Sequence, residues 1–223
     1  MISNNRTAIL VGMEGTIDWA CIPNFDSKPV FDSLLDKDSG GKFSIYPEDP
    51  QKLAVRQYYK EHTNILVTEF LKDGSKILRI TDFIPVSDYN TITFAEIYRH
   101  VESFAEPLNL HIVFKPHFLS NEPTLVEKRK EGFIFRSRDQ SIGIVSGFRL
   151  IKKDNIIDST VEMGKNLAKW VIAPYGVRHL NPLGDYRPYQ NMEMTTDYWR
   201  KGVQESSYKW IFNSEVIRSR LTL

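Results

Sequence analysis

The 223-residue chain carries 29 Lys and Arg against 28 Asp and Glu, a net charge of +1, with 41% hydrophobic and 26% charged residues. That balance fits a soluble globular protein of one large or two small domains, and excludes long-range attraction to nucleic acid or an anionic membrane. No apolar run approaches the ~20 residues of a membrane span, the N-terminus lacks a signal-peptide pattern, and the single cysteine, Cys21, excludes an internal disulfide framework; the expected compartment is the cytoplasm.

From the N-terminus onward the pattern is a β-rich run, a turn signal containing Gly, and another β-rich run. Glu14-Gly15 separates Thr7–Val11 from Ile17–Ile22, Asp73-Gly74 separates Asn64–Leu71 from Lys76–Ile84, and Glu131-Gly132 separates Leu125–Lys130 from Phe133–Arg138. Further extended segments are expected at Lys42–Tyr46, Val55–Tyr59, Thr91–Val101, Leu108–Phe114, Ile142–Phe148 and Leu167–Ala173. Leu108, Leu110, Ile112 and Phe114 alternate with Asn109, His111 and Lys115, the signature of an antiparallel strand with one buried face. Val30–Leu35 reads as one helical turn. The fold class is therefore all-β, a large antiparallel sandwich over residues 1–180.

After Gly184 the character changes. Asn181–Tyr189 is turn-rich and reads as a linker. Thr195-Thr196-Asp197 offers N-cap side chains for a helix over Tyr198–Ser206, and a second helical pattern opens at Asn213-Ser214 and runs to Leu223. That second helix has no stop signal, and a helix of three turns needs something to pack against. Residues 181–223 are accordingly expected to be a linker with one or two helices that begin a further domain.

Chemistry is sparse. Neither G-x-G-x-x-G nor G-x-x-x-x-G-K-[ST] occurs, and Ser146 between Gly143 and Gly147 is at the wrong offset for a nucleophile elbow. The histidines His62, His100, His111, His117 and His179 show no metal-ligand spacing, so no metal and no cofactor is expected. Cys21, between Ala20 and Ile22, reads as a buried inert thiol. Glycoside hydrolysis would need two carboxylates at a set separation. Asp18, Asp26, Asp82, Asp185 and Asp197 each adjoin an aromatic residue, but Asp82 ends a strand, Asp185 lies in the linker and Asp197 is an N-cap candidate.

The densest polar and aromatic segment is the loop Pro23-Asn24-Phe25-Asp26-Ser27, following Trp19 and bounded by Pro29. Sugar sites combine a flat apolar face with hydrogen-bonding side chains. The same residue types also serve ordinary turns. On one reading Trp19 and Phe25 are platforms and Asn24, Asp26 and Ser27 hydrogen-bond a ligand. On the other Trp19 is core, and Asp26 and Ser27 cap the turn from Val30.

Arg6–Val11, Gly15–Trp19, Pro23–Ser27, Val30-Phe31, Leu35-Asp36 and Gly40-Gly41 together resemble the opening of the bacterial and archaeal glucoamylase and trehalase-like enzymes of glycoside hydrolase family 15. Thr68-Glu69-Phe70 and Thr81–Pro85 continue the resemblance, and Tyr198-Trp199-Arg200 and Ser219–Leu223 resemble that family's linker helix and first barrel helix. The resemblance implies a two-domain parent, a β-supersandwich followed by an (α/α)6 barrel that carries both catalytic glutamates and hydrolyses α-glucosidic bonds with inversion. On that basis no residue of this chain is catalytic and the chain is inactive alone. The Pro23–Ser27 loop would point toward the barrel, in cis or in trans, and frame the mouth of its site. An α-glucan, a dextran or trehalose remains open as the substrate. A free carbohydrate-binding module and a partner subunit of a separately encoded barrel stay as alternatives, and homo-oligomerisation is left open.

Overall fold

The computed structural model describes residues 1–86, 95–104, 106–118, 124–205 and 211–221. Residues 91–94 of one expected strand, Ser206 at the end of the first expected helix, and Thr222 and Leu223 lie outside them. Among the described residues there are sixteen strands and two α-helices. In chain order the strands are β1 (Ile2–Ser3), β2 (Ala8–Val11), β3 (Thr16–Cys21), β4 (Pro29–Phe31), β5 (Lys42–Pro47), β6 (Ala54–Tyr59), β7 (Leu66–Lys72) and β8 (Ser75–Phe83). They continue with β9 (Glu96–Ser103), β10 (Leu108–Lys115), β11 (Leu125–Lys128), β12 (Gly132–Ser137), β13 (Gln140–Ser146), β14 (Lys152–Lys153), β15 (Ile156–Met163) and β16 (Ala168–Pro174). The helices are α1 (Pro188–Gln204) and α2 (Asn213–Arg220).

The strands form two eight-stranded antiparallel sheets. One runs β1-β2-β3-β5-β10-β15-β14, with β4 on β3; the other runs β11-β12-β13-β16-β9-β8-β7-β6. Their inner faces share one apolar core, in which Phe31, Phe43 and Phe114 of the first sheet meet edge to face and Phe114 reaches Phe135 of the second at 5.2 Å. The alternation of β10 is as expected: Leu110, Ile112 and Phe114 are buried and Asn109 is exposed.

Two turns need their glycines. Asp73 and Gly74 both have positive φ (49° and 76°), the backbone of a two-residue hairpin turn between β7 and β8. Gly15 has φ 74°, and a Cβ there would lie 2.7 Å from the carbonyl oxygen of Ile45. The turn before β3 is thus pressed against β5, and this fixes where β3 enters the sheet.

Across the core runs a buried ion pair. Asp82 and Arg99 sit directly opposite each other on β8 and β9 and are both fully buried. The guanidinium also donates to the carbonyls of Phe43 and Gly15 in the facing sheet.

The structure can be set against the sequence pattern at several places. Val30 and Phe31 belong to a strand, because Phe31 fills the aromatic core, and the turn begins only at Asp32. β15 was not expected: its inward face carries Ser159, which breaks the apolar alternation but accepts the Ile151 N–H at 2.7 Å. Asp82 does stand at the end of its strand, one residue before the last of β8, and there it partners Arg99. Lastly, α1 starts at Pro188 rather than at a Thr195–Asp197 cap. Proline at the first helical position sacrifices no hydrogen bond. Thr195 and Thr196 are buried inside the helix, where Thr195 Oγ1 accepts the Val86 N–H and Thr196 Oγ1 donates to Met192 O.

The outer face of the second sheet is covered. Ile65, Phe83, Tyr98, Trp170 and Ile172 pack under Leu183, Tyr186 and Met192, and Tyr98 Oη donates to Glu96 Oε2 at 2.7 Å while accepting from Asn191 Nδ2, which also donates to Tyr186 O. The segment leading into α1 therefore lies on the sandwich. Among the described residues, no helix is long and apolar enough to cross a membrane.

Candidate functional site

The Pro23–Ser27 loop projects from the end of β3. Its base is pinned to the preceding hairpin: Phe25 N–H donates to Arg6 O at 2.6 Å, and Thr7 Oγ1 donates to Pro23 O at 2.6 Å. The loop then closes on itself. Ser27 N–H donates to Asn24 O and Asn24 N–H donates to Ser27 Oγ, at 3.0 and 3.1 Å. Ser27's hydroxyl is therefore engaged in forming the turn, and no helix follows for it to cap.

Phe25 and Asp26 occupy the tip. Phe25 is 71% exposed, and Asp26 is exposed and makes no hydrogen bond or ion pair among the described residues. Pro23 is exposed and Asn24 half-buried. Trp19 is neither fully core nor a free platform: it is half-buried opposite Leu10, and burial pushes up the Cys21 thiol at the end of the same strand. Of the six candidates, the structure brings Phe25 and Asp26 together at the tip and uses the backbones of Pro23 and Asn24, with Ser27, as scaffold.

The same end of the sandwich receives both helices. Asn5 Nδ2 donates to Tyr198 Oη of α1 at 2.8 Å, and Asn4 Nδ2 reaches Pro85 O. Trp199 and Val203 of α1 pack with Val86 and with Leu221 at the end of α2. α2 is fastened by Arg218, whose guanidinium lies 3.6 Å over the Tyr59 ring and donates to Thr63 O and Asn64 Oδ1. A cleft of about 340 Å³ opens here, lined by residues that include Asn5, Tyr198, Lys201, Glu205 and Arg220. Among the described residues Glu205 is the one carboxylate in that lining, whereas glycoside hydrolysis uses two.

Sequence reasoning noted Tyr198-Trp199-Arg200 as a motif but not as part of a site. Asn5 carries no local signal; its role follows from the β1–β2 turn that sets it beside α1. Asp18, on β3, is held above the usual carboxylate range by burial, against a hydrogen bond from Ser33. Among the described residues, no group of three or more His, Cys, Asp or Glu side chains is arranged to hold a metal ion.

Comparison with known proteins adds a lineage to this geometry. Residues 1–148 match the family described as trehalase-like, N-terminal. Over 223 residues the chain is 50% identical to a trehalase of Thermoplasma volcanium, covering all of this chain and 36% of that protein. It is 48% identical over 216 residues to a trehalase of Thermoplasma acidophilum, covering 96% of this chain and 37% of the other. Identity to trehalase 2 of Sulfolobus acidocaldarius is 33% over 229 residues, covering 98% of this chain and 36% of that one. The chain thus spans little more than a third of the length of these relatives.

Proposed function

The chain belongs to the trehalase-like N-terminal family, and from that premise we propose that it is the non-catalytic N-terminal part of a trehalase-type hydrolase of glycoside hydrolase family 15. In this reading residues 1–180 are the sandwich, and residues 181–223 lead into an (α/α)6 barrel that carries the catalytic glutamates and inverts the configuration at the cleaved α-glucosidic bond. The observation that carries it is the extent of the match: 50% identity along the whole chain, yet only 36% of the relative's length. The relatives named here are all trehalases, so trehalose is the substrate we assign to the parent rather than starch or dextran. The cytoplasm is the compartment we assign, in line with a lone buried thiol.

The role of this part is to hold the barrel and to shape one edge of its site. The end of the sandwich that gathers the 4–7 turn, the Pro23–Ser27 loop and both helices is the surface we assign to the barrel. Phe25 and Asp26, uncommitted at the loop tip, are the groups that would reach it. Assay of the chain alone on trehalose is expected to give no turnover. Joined to the remaining two-thirds of a close relative, it is expected to give hydrolysis, which Phe25→Ala with Asp26→Ala should weaken about tenfold or more in kcat/KM, a loss of at least ~1.4 kcal/mol of transition-state binding. Turnover by the chain alone would overturn the assignment, and unchanged hydrolysis by the double variant would remove the loop from the site.

A further inference from the structure

The outer face of the first sheet carries a depression over β3 and β5. Its floor is formed by Thr16 and Asp18 of β3 and Lys42 and Tyr46 of β5, and Met13 and Leu34 stand at its rim. Its volume of about 590 Å³ falls within the ~300–1,000 Å³ of small-molecule sites. The Gly12–Gly15 turn beside it closes the β2–β3 hairpin at the end opposite the 4–7 turn and the Pro23–Ser27 loop. The depression is therefore apart from the surface assigned to the barrel.

The chain's own hydrogen bonds hold the walls. Leu34 N–H donates to Asp18 O at 3.1 Å and Ser33 Oγ donates to Asp18 Oδ1 at 3.2 Å, which lays the loop after β4 along β3. On the other side Gly12 N–H donates to Thr16 O at 2.8 Å. His111 of β10, on the far side of β5 from β3, stacks on one face of Tyr46 at 5.3 Å and 24°. That contact fixes the Tyr46 ring and leaves its other face toward β3 and the cavity.

The polar groups around the space are uncommitted and of both kinds. Among the described residues, Asp18 Oδ2, the Glu14 carboxylate, the Lys37 and Lys42 ammonium groups and Tyr46 Oη take part in no hydrogen bond or ion pair. Thr16 Oγ1 donates to Ser44 Oγ at 2.9 Å and keeps its lone pairs. Burial costs the Asp18 carboxylate part of its hydration, which a hydroxyl donor would restore. Two carboxylates and two ammonium groups cancel, so the lining favours neither an anion nor a cation. A sugar hydroxyl both donates and accepts, and suits a lining that offers acceptors and donors together. The C–H face of a pyranose suits the Tyr46 ring, and Met13 and Leu34, 53% and 57% exposed, extend the apolar contact at the rim.

We propose that the depression over β3 and β5 binds a neutral pyranose sugar, stacked on the open face of Tyr46, with one hydroxyl donating to Asp18 Oδ2 and another accepting from Lys42. The site stands on these side chains and does not depend on where trehalose is hydrolysed.

The test is titration of the chain, labelled with ¹³C at its methionine methyls, with glucose, trehalose, glycerol, inorganic phosphate and calcium chloride. Of the five methionines, Met13 stands at the rim and Met163 is fully buried in the core. The Met13 methyl, assigned with Met13→Leu, is expected to shift saturably with glucose or trehalose while Met163 stays in place. The tighter of the two sugars tells a single ring from a disaccharide. Asp18→Asn keeps an acceptor for Ser33 and is expected to weaken the response about tenfold, as is Tyr46→Leu. An unmoved Met163 methyl reports an intact core in each variant, and Asp18→Asn carries the test alone if the Tyr46 variant disturbs it. Glycerol is expected to act far more weakly, and phosphate and calcium to give no saturable shift. No saturable shift with either sugar, a saturable shift with phosphate or calcium, an equal response to glycerol, or an unaltered response in either variant would each overturn the proposal. None of those outcomes bears on hydrolysis by the joined protein, so this site and the trehalase assignment fail separately.

Discussion

Exchanging Arg99 for methionine removes a guanidinium that ties one sheet to the other. Arg99 donates to the Asp82 carboxylate from Nε and Nη2 at 2.9 and 3.3 Å, to Phe43 O from Nη1 at 2.8 Å, and to Gly15 O from Nη2 at 2.5 Å. Methionine keeps much of the buried volume, so the loss is electrostatic rather than a cavity. Two influences act on Asp82: burial, the larger, raises its pKa above the ordinary carboxylate value, and the guanidinium opposes that rise. With the guanidinium gone only burial remains, and the carboxyl folds in protonated. Taking up that proton at pH 7, against an unfolded pKa near 3.9, costs about 4 kcal/mol at about 1.36 kcal/mol per unit. The two carbonyls that lose a donor add to this, and the expected total is about 4–6 kcal/mol. That is a large part of an ordinary stability of about 5–15 kcal/mol, and it lowers Tm by roughly 8–24 °C for a chain of this size. The folded variant retains a proton that the unfolded chain releases above pH ~3.9, so its stability falls as pH rises, and against a parent whose paired carboxylate is ionised its deficit shrinks by up to about 2.7 kcal/mol from pH 7 to pH 5. Asp82→Asn behaves differently, because a guanidinium cannot shed its charge and its deficit stays flat over the same window. Urea denaturation of the parent and both variants at pH 5, 6 and 7 measures these slopes. A loss below about 1.5 kcal/mol for Arg99→Met at pH 7, or parallel pH profiles for the two variants, would refute the reasoning.

Two further perturbations probe other parts of the fold. Burial raises the Glu69 carboxyl, but hydrogen bonds from Arg56, Arg79 and Lys76 hold it down at about 2. Its folded pKa lies below the unfolded one, so its stabilisation is present above pH ~4.5 and is lost as the pH falls toward 2. Glu69→Gln should flatten that acid limb by about 1–2 kcal/mol, solvent screening of the partly exposed cations included, as read by denaturation at pH 3 and pH 6. An acid limb as steep as the parent's would exclude the network as its source. Arg218→Ala should free α2, whose eight residues are too few to hold a helix unaided. Amide exchange over residues 213–220 is then expected to lose its protection while β9 keeps its own; retained protection in α2 would show that the Tyr59 and Asn64 contacts do not fasten it.

How much of this was legible in the sequence depended on the range of the interaction. β10 and the Asp73-Gly74 hairpin were readable because alternation and turn chemistry act within a few residues. β15 escaped because one inward position holds Ser159, whose partner is Ile151 in a neighbouring segment. The start of α1 is hidden because threonine hydroxyls that read as caps instead bond Val86 and Met192, and a first-turn proline gives no periodic signal. Arg99 is the sharper case. A charged residue inside a strand reads as outward-facing, and only the register that sets Asp82 opposite it, with two carbonyls across the core, makes the inward choice favourable.

The site candidates separate by the same logic. The composition of Pro23–Ser27 is equally that of a turn and of a sugar loop, and the deciding fact is which polar groups the backbone already occupies. Ser27 is occupied by Asn24, whereas Asp26 is not. The depression over β3 and β5 shows the converse: its polar groups alternate along two strands like any wet face, so no local pattern marks them. They gather round one space only when the register sets Thr16 opposite Ser44 and the loop after β4 is tied to Asp18. A loop rich in polar residues is weak ground for a binding site when its own turn uses them.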